Sequence, residues 1–418
     1  MTTGTAADAA RHIASRTLMC RDHPVARFRF DTTTQRMIGP TTVLNRTYLP
    51  LGCLDRGGSF STSCLARWLR NRAVPATRPG LDPVLQRLNL DSSEDLLFEG
   101  LGLSLSDQYW LKPENVILNW KNINFFDQPF SPALGEALAP HDPDSGAEAI
   151  ARIGEEGIIV ASSPDAALNG DLSKRWEVRG NERVLIKSGK PERLYQEPMN
   201  ERIATLLCAR IMPQDAYVAY KLEQNGYPSH VSACPCMVDA QTEFVPAADV
   251  VLSHKEDNSA SRCETFATVC EQHGLHDARE AIDRMLVVDH ILANFDRHWG
   301  NFGILMDSES RTWLRLAPIF DTGEALWCDR PLANDFTPYH MRHPMPFIKA
   351  IGDQLARYTH GLSWLDMDAL AGFADEAVDV LALNRAVSDI PGRLEGIHKA
   401  IERAIDEVRA AQQASIRR

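Results

Sequence analysis

The stretch Asn294-Phe-Asp296-Arg297-His298-Trp-Gly-Asn301-Phe-Gly303 lies between a helical run and a strand-like run, and twenty residues after Asn301 comes Asp321 of Pro318-Ile-Phe-Asp321-Thr-Gly323. Upstream, AREAIDRMLVVDHILANF (278–295) spaces Ile282, Met285, Leu286, Ile291 and Leu292 as a helix does. Downstream, FGILMD and TWLRLAPIF read as two short strands joined by SESR. The polar side chains of the loop therefore stand on a rigid base. Asp296, Asn301 and Asp321 supply two carboxylates and an amide from one loop–strand–strand unit. Phosphoryl transfer calls for one carboxylate to hold the acceptor hydroxyl and for an oxygen pair to carry Mg²⁺ against the nucleotide phosphates. A lone Asp in such a loop is more often a turn former; the three together carry the reading.

Ahead of this unit, from 155 to about 250, the apolar period becomes two. GIIVAS (157–162) is a strand candidate, and RWEVRG and RVLIKSG flank Gly180-Asn181, a hairpin pair. PMNERIATLLCARIM (198–212) is helical, with Pro198 at its start. AYVAYKLE (216–223) and HVSACPCMV (230–238) bracket QNGYPS, a second hairpin signal. The order describes a small antiparallel sheet carrying one helix. Lys187 ends the strand VLIK. Glu201, 14 residues on, shares a helix face with the small residues Ala204, Thr205 and Cys208, so it can turn to the sheet and meet Lys187. A solvated strand end and a capping acid are the plain alternatives, and Glu197 competes with Glu201 for the pairing.

Asp-Arg-His-x-x-Asn followed by Asp-x-Gly resembles the catalytic core of HipA-like serine/threonine kinases, distant relatives of the phosphatidylinositol kinases. The resemblance implies an α+β, two-lobed protein-kinase-like fold with an extra N-terminal domain, binding ATP and Mg²⁺ between the lobes. It implies Asp296 as the base or hydroxyl-orienting group, Asn301 and Asp321 as Mg²⁺ ligands, Lys187 as the phosphate contact and Glu201 as its steering acid. His298 matches the family histidine of the loop, with phosphate contact or loop bracing as its role, and Arg297 braces the loop as well; both are counted with Asp296 in the catalytic loop. No G-x-G-x-x-G loop occurs. The stretch from Ser162 to Trp176 takes its place, with Gly170, Ser173 and Lys174 as the residues over the phosphates, a plain turn before the Trp176 strand being the equal alternative. Pro235-Cys236-Met237-Val238 becomes the connection that meets adenine, with Cys236 and Val238 contributing backbone groups. The implied reaction moves the γ-phosphoryl group of ATP to Ser or Thr of a protein, in a toxin or regulatory kinase. Ser162, Ser163 and Ser173 are candidates for autophosphorylation, and a separate antitoxin-like partner is implied. A lipid or small-molecule kinase, or a nucleotide-binding module without turnover, is the alternative reading.

The chain has 418 residues, and its division on this reading is 1–150 as an N-terminal domain without an assigned role, 151–245 as a β-rich small lobe and 246–418 as a helical large lobe. Net charge is −12, which disfavours nucleic acid as a direct partner. The charge is uneven: residues 1–78 are rich in arginine, whereas 79–150 hold 12 acidic against 3 basic side chains. Neighbouring segments of opposite sign are expected to match each other within the fold. The stretch SPALGEALAPHDPDSGAE reads as a linker closing this first zone. Nine cysteines without a C-x-x-C pair exclude a zinc ribbon and read as reduced, buried thiols. No run reaches the ~20 apolar residues that span a bilayer, and the expected compartment is the cytoplasm. At the other end Ile390, Leu394, Ile397, Ile401, Ile405 and Val408 form one face of an amphipathic helix.

Overall fold

The computed structural model describes residues 12–156, 163–224, 230–254, 260–332, 336 and 351–416. The strand candidate GIIVAS lies outside them, as do residues 225–229 of the QNGYPS turn. In the N-terminal region β1 (Ile13–Cys20) pairs antiparallel with β2 (His23–Asp31) on one side; β3 (Arg36–Met37) and β4 (Thr42–Val43) both add to β2. Helices α1 (Thr62–Arg72), α2 (Leu81–Leu88) and α3 (Ser93–Glu99) follow, and β5 (Tyr109–Pro113) returns to the free side of β1. Period-two alternation buries Ala26, Phe28 and Phe30 of β2 with Leu18 against Leu65 and Leu69 of α1 and Phe98 of α3.

The expected linker at 131–148 is helical instead: α4 (Ala133–Leu138) and the first part of α5 (Pro143–Glu156) occupy it, and α5 runs across residue 150. Pro132 and Pro143 stand at helix starts, where a missing N–H costs nothing, Pro140 follows the end of α4, and Asp142 caps α5 by accepting the Ser145 N–H at 2.8 Å. Leu134, Ala137 and Leu138 are buried against Val74, Leu81 and Ile153. Turn-rich composition here marks caps rather than a linker.

The next sheet runs β6-β7-β9-β8, all antiparallel, from β6 (Lys174–Arg179) and β7 (Glu182–Ser188) through β8 (Lys221–Gln224) and β9 (His230–Pro235). Gly180, at φ +63°, and Asn181 form the two-residue link between β6 and β7, whose register pairs Arg179 with Glu182. Helix α6 (Glu197–Ile211) packs on this sheet between β7 and β8 in sequence. The start of AYVAYKLE departs from a sheet strand: Ala216 and Val218 bond the main chain of Ile319 across the two halves, leaving only Lys221–Gln224 to pair with β9.

Strand β10 (Thr242–Pro246) leads into the helical half and pairs with β11 (Gly303–Asp307), which pairs with β12 (Trp313–Leu316). A Cβ on Gly303 would stand 2.1 Å from the Val245 carbonyl oxygen, so only glycine permits this approach. Helices α7 (Ala247–Leu252), α8 (Arg262–Gln272) and α9 (Ala278–Ile291) follow β10. One side of α9 packs Ile282, Met285 and Leu286 against Val250, Phe266 and Ile304. Its other side packs Val287, Val288 and Ile291 against Leu207 of α6, Phe373 and Leu381 of α10 (Phe373–Ala382), and Ile397, Ile401 and Val408 of α11 (Arg393–Ile416). Helix α11 begins after Pro391-Gly392, so Ile390 lies outside the stripe expected of it. Among the described residues no helix is long and apolar enough to cross a membrane. All nine cysteines are free, and all but Cys236 are buried.

Candidate active site

The loop after α9 is built on one arginine. Helix α9 ends at Ile291 with Leu292 as its C-cap, and the chain turns through Ala293 at φ +47°. Arg297 is fully buried and meets Asp289 of α9 through Nε at 3.0 Å to Oδ2 and Nη2 at 3.0 Å to Oδ1. Its Nη1 donates to the carbonyls of Asn301 at 2.8 Å and Phe320 at 2.5 Å, and Nη2 reaches Thr322 Oγ1 at 3.3 Å. One guanidinium thus ties the Asp296 loop to the Asp321 turn, with its own charge balanced by Asp289. Arg297 braces the site from behind and does not line the cleft. Asn294 adds to the frame, donating from Nδ2 to Asp289 at 2.7 Å and accepting the Asp296 N–H at 3.1 Å.

Lys187 comes from β7 and is buried. Its ammonium bonds Glu201 of α6 and Asp321, and it lies 5.3 Å from the centre of the Tyr220 ring. Glu201 is buried as well, and its Oε2 accepts the Thr322 N–H at 3.0 Å. Glu197 does not compete for the lysine: it accepts the Lys190 N–H at 3.2 Å. Burial alone would lower the Lys187 ammonium, but the Asp321 and Glu201 carboxylates outweigh it and hold it well above its ordinary value. Burial alone would raise the Asp321 carboxyl, but Lys187 and Lys174 hold it well below the usual carboxylate range. Asp296 moves the other way: burial, with Glu324 and Asp321 nearby, pushes it up to about 7. Two carboxylates with such divergent environments suit a base and a charged ligand. Asp321 also sits at φ +56°, a backbone state that Asp and Asn tolerate better than other side chains.

Asp296, His298, Asn301, Asp321, Lys174 and Lys187 all line one cleft of about 750 Å³. Asn301 donates from Nδ2 to the Asp296 carbonyl at 3.0 Å, and its amide oxygen has no hydrogen-bond donor among the described residues. His298 is exposed, with its Nδ1 accepting the Gly300 N–H at 3.0 Å. Gly170, Asp171 and Leu172 line the same cleft. Gly170 stands at φ +100°, and a Cβ there would meet the Lys174 ammonium at 2.5 Å. Lys174 is half-buried; burial, with Arg78 and Lys187 close by, pushes it down to about 7 despite the Asp321 carboxylate. Ser173 is half-buried and accepts the Ser188 N–H on its carbonyl. Ser163 is fully buried, its hydroxyl donating to Asp165 at 2.9 Å, and Ser162 lies outside the described residues. At the connection, Met237 lines the cleft but Cys236 and Val238 do not. The Cys236 N–H donates to the Arg183 carbonyl at 2.8 Å, and the Val238 N–H is turned to the Cys236 sulfur. The two N–H groups at this connection are therefore occupied within the protein.

An amide oxygen and an ionised carboxylate on one cleft wall are hard oxygen donors, so Asn301 and Asp321 fit a Mg²⁺ ion shared with phosphate oxygens. Asp289, Tyr220, Glu324 and Arg78 were not singled out from sequence. Asp289 alone had a signal, an acid inside an otherwise apolar helical run.

No protein-family model matches the chain. Over 128 residues it is 30% identical to the serine/threonine-protein kinase CtkA of Helicobacter pylori, an alignment spanning 28% of this chain and 38% of that relative. The chain thus spans well under half the length of the curated relative it matches. The crystal structure of the proinflammatory kinase CtkA of the same organism aligns with 58% of this chain and 94% of its own, at 17% identity and a TM-score of 0.43.

Proposed function

We propose that the chain is a HipA-like kinase that transfers the γ-phosphoryl group of ATP to a serine or threonine hydroxyl of a protein. The observation that carries this reading is Lys187, bridged to Glu201 and Asp321 in a cleft that also receives Asp296 and Asn301. The partial likeness to a serine/threonine-protein kinase supports the same reaction class. Mg²⁺ held by Asn301 and Asp321 would neutralise charge on the nucleotide phosphates. Lys187 contributes a fixed positive charge to those phosphates, and Glu201 holds its ammonium in place. Asp296, whose carboxyl is poised near neutrality, accepts the proton of the attacking hydroxyl. Autophosphorylation is expected at Ser173 rather than at the enclosed Ser163.

The test is transfer of labelled phosphate from ATP with Mg²⁺ by the purified protein, compared with Asp296→Ala and Asp321→Asn. Asparagine keeps the backbone of position 321 unstrained while removing the charge. Loss of at least 100-fold in both variants is expected. Equal labelling in all three proteins excludes the kinase reading.

A further inference from the structure

The N-terminal region reaches into the candidate nucleotide site through one buried side chain. Arg78 precedes α2, is almost completely enclosed, and points at the loop 168–174. Its Nη2 donates to the Leu168 carbonyl at 2.7 Å and its Nε to the Gly170 carbonyl at 2.8 Å, with Nη1 at 3.5 Å from the Lys174 carbonyl. Next to it, Thr77 Oγ1 donates to Asp171 at 2.8 Å. Burial lowers Arg78 to about 10, so the side chain stays charged at neutral pH. Arg78 itself does not line the cleft, whereas the loop it grips does.

The pattern of groups within the loop gives this grip a direction. The carbonyls of 168, 170 and 174 converge on one guanidinium, a planar donor fork that cannot lose its proton here. The main-chain N–H groups of Asp171, Leu172 and Ser173 have no acceptor among the described residues. A short loop with its carbonyls tied behind and successive N–H groups left over is suited to an anion. The same region also lines the connection end of the cleft, through Trp68, Ser104, Ser106 and the ion-paired Arg72 and Asp107. It bonds that end directly as well: the Phe244 N–H donates to Ser106 at 2.8 Å, and Gln108 donates to the carbonyls of Asp239 and Thr242.

We propose that Arg78 is a positioning residue of the nucleotide site, holding the 168–174 loop so that its N–H groups are presented to the phosphates of ATP. The N-terminal region is then a working wall of the cleft. This rests on the kinase reading above, since it assigns the loop to phosphate.

Binding of Mg·ATP and of adenosine is measured by calorimetry for the wild-type chain, Arg78→Lys and Thr77→Val. Lysine keeps the charge but cannot span three carbonyls. Arg78→Lys is expected to weaken Mg·ATP at least tenfold while adenosine affinity stays within twofold, because adenosine carries no phosphate. Thr77→Val, which removes a partner exposed at the loop's edge, is expected to weaken Mg·ATP by a smaller factor with the same selectivity, and stands alone if Arg78→Lys does not fold. Unchanged Mg·ATP affinity, or equal losses for both ligands, overturns the proposal while leaving the kinase reading intact. A wild-type chain that binds neither ligand and transfers no phosphate overturns both.

Discussion

At Asp296 and Asp321 the same chemical group carries two different protonation behaviours. Burial, with the Glu324 and Asp321 carboxylates nearby, pushes Asp296 up to about 7, whereas Asp321 lies against Lys187 and stays ionised. On the proposed role of Asp296 as base, which requires it deprotonated, kcat/KM is expected to rise about tenfold per pH unit below pH 7 and to level off above it. A pH–rate profile checks this; a flat profile from pH 5.5 to 8 removes Asp296 as the base. The sign for stability is opposite. The raised carboxyl binds its proton more tightly in the folded chain, so its contribution is full below the unfolded value near 3.9 and is lost as pH rises to about 7. Arg297 lends itself to a different measurement. Arg297→Ala leaves Asp289 buried without its main partner and is expected to cost about 3–5 kcal/mol in urea unfolding. The motif made Asp296, Asn301 and Asp321 legible in sequence because they stand close along the chain. The buried Asp289–Arg297 pair that orients them became visible only when the helix and loop were packed.

At the scale of elements, periodicity served well where one face is buried and the other is not. The β6–β7 hairpin, α6, α9 and most of α11 follow from spacing alone. It failed where polar composition reflects caps, as at α4 and α5, and where burial does not follow polarity, as at β10, whose Glu243 is buried and whose Phe244 is half-buried. Strand β10 depends on its neighbour β11, with Gly303 allowing the two to close. Gly303→Ala is expected to destabilise the chain by roughly 1–3 kcal/mol, the usual range for overpacking, and to disturb the cleft beside Phe244. Thermal melting with ATP-analogue binding reads both effects. Ile401 of α11, fully buried against the α9 side of the core, is expected to cost about 2–5 kcal/mol as Ile401→Ala. A loss under 0.5 kcal/mol would mean that α11 does not pack there.

Across the whole molecule, the opposite charges of 1–78 and 79–150 meet in part within the fold, as Arg72 and Asp107 pair beside the cleft. Met19, Leu103, Leu105, Trp110, Trp120 and Phe125 of the N-terminal region share one apolar cluster with Trp176 of β6. A fragment starting at residue 151 would expose Trp176 and release the loop held by Arg78. It is expected to aggregate or to lose Mg·ATP affinity, and a soluble fragment binding as tightly as the full chain would contradict this. The β6–β7 hairpin, the faces of α6, α9 and α11, and the grouping of Asp296, Asn301 and Asp321 were set by local spacing, because side-chain direction repeats every two or 3.6 residues. Which lysine meets which acid, why Cys236 and Val238 turn away from the cleft, and that Arg78 reaches the loop some 90 residues on were decided only by tertiary structure. Those contacts join groups far apart in the chain, and no local period records them.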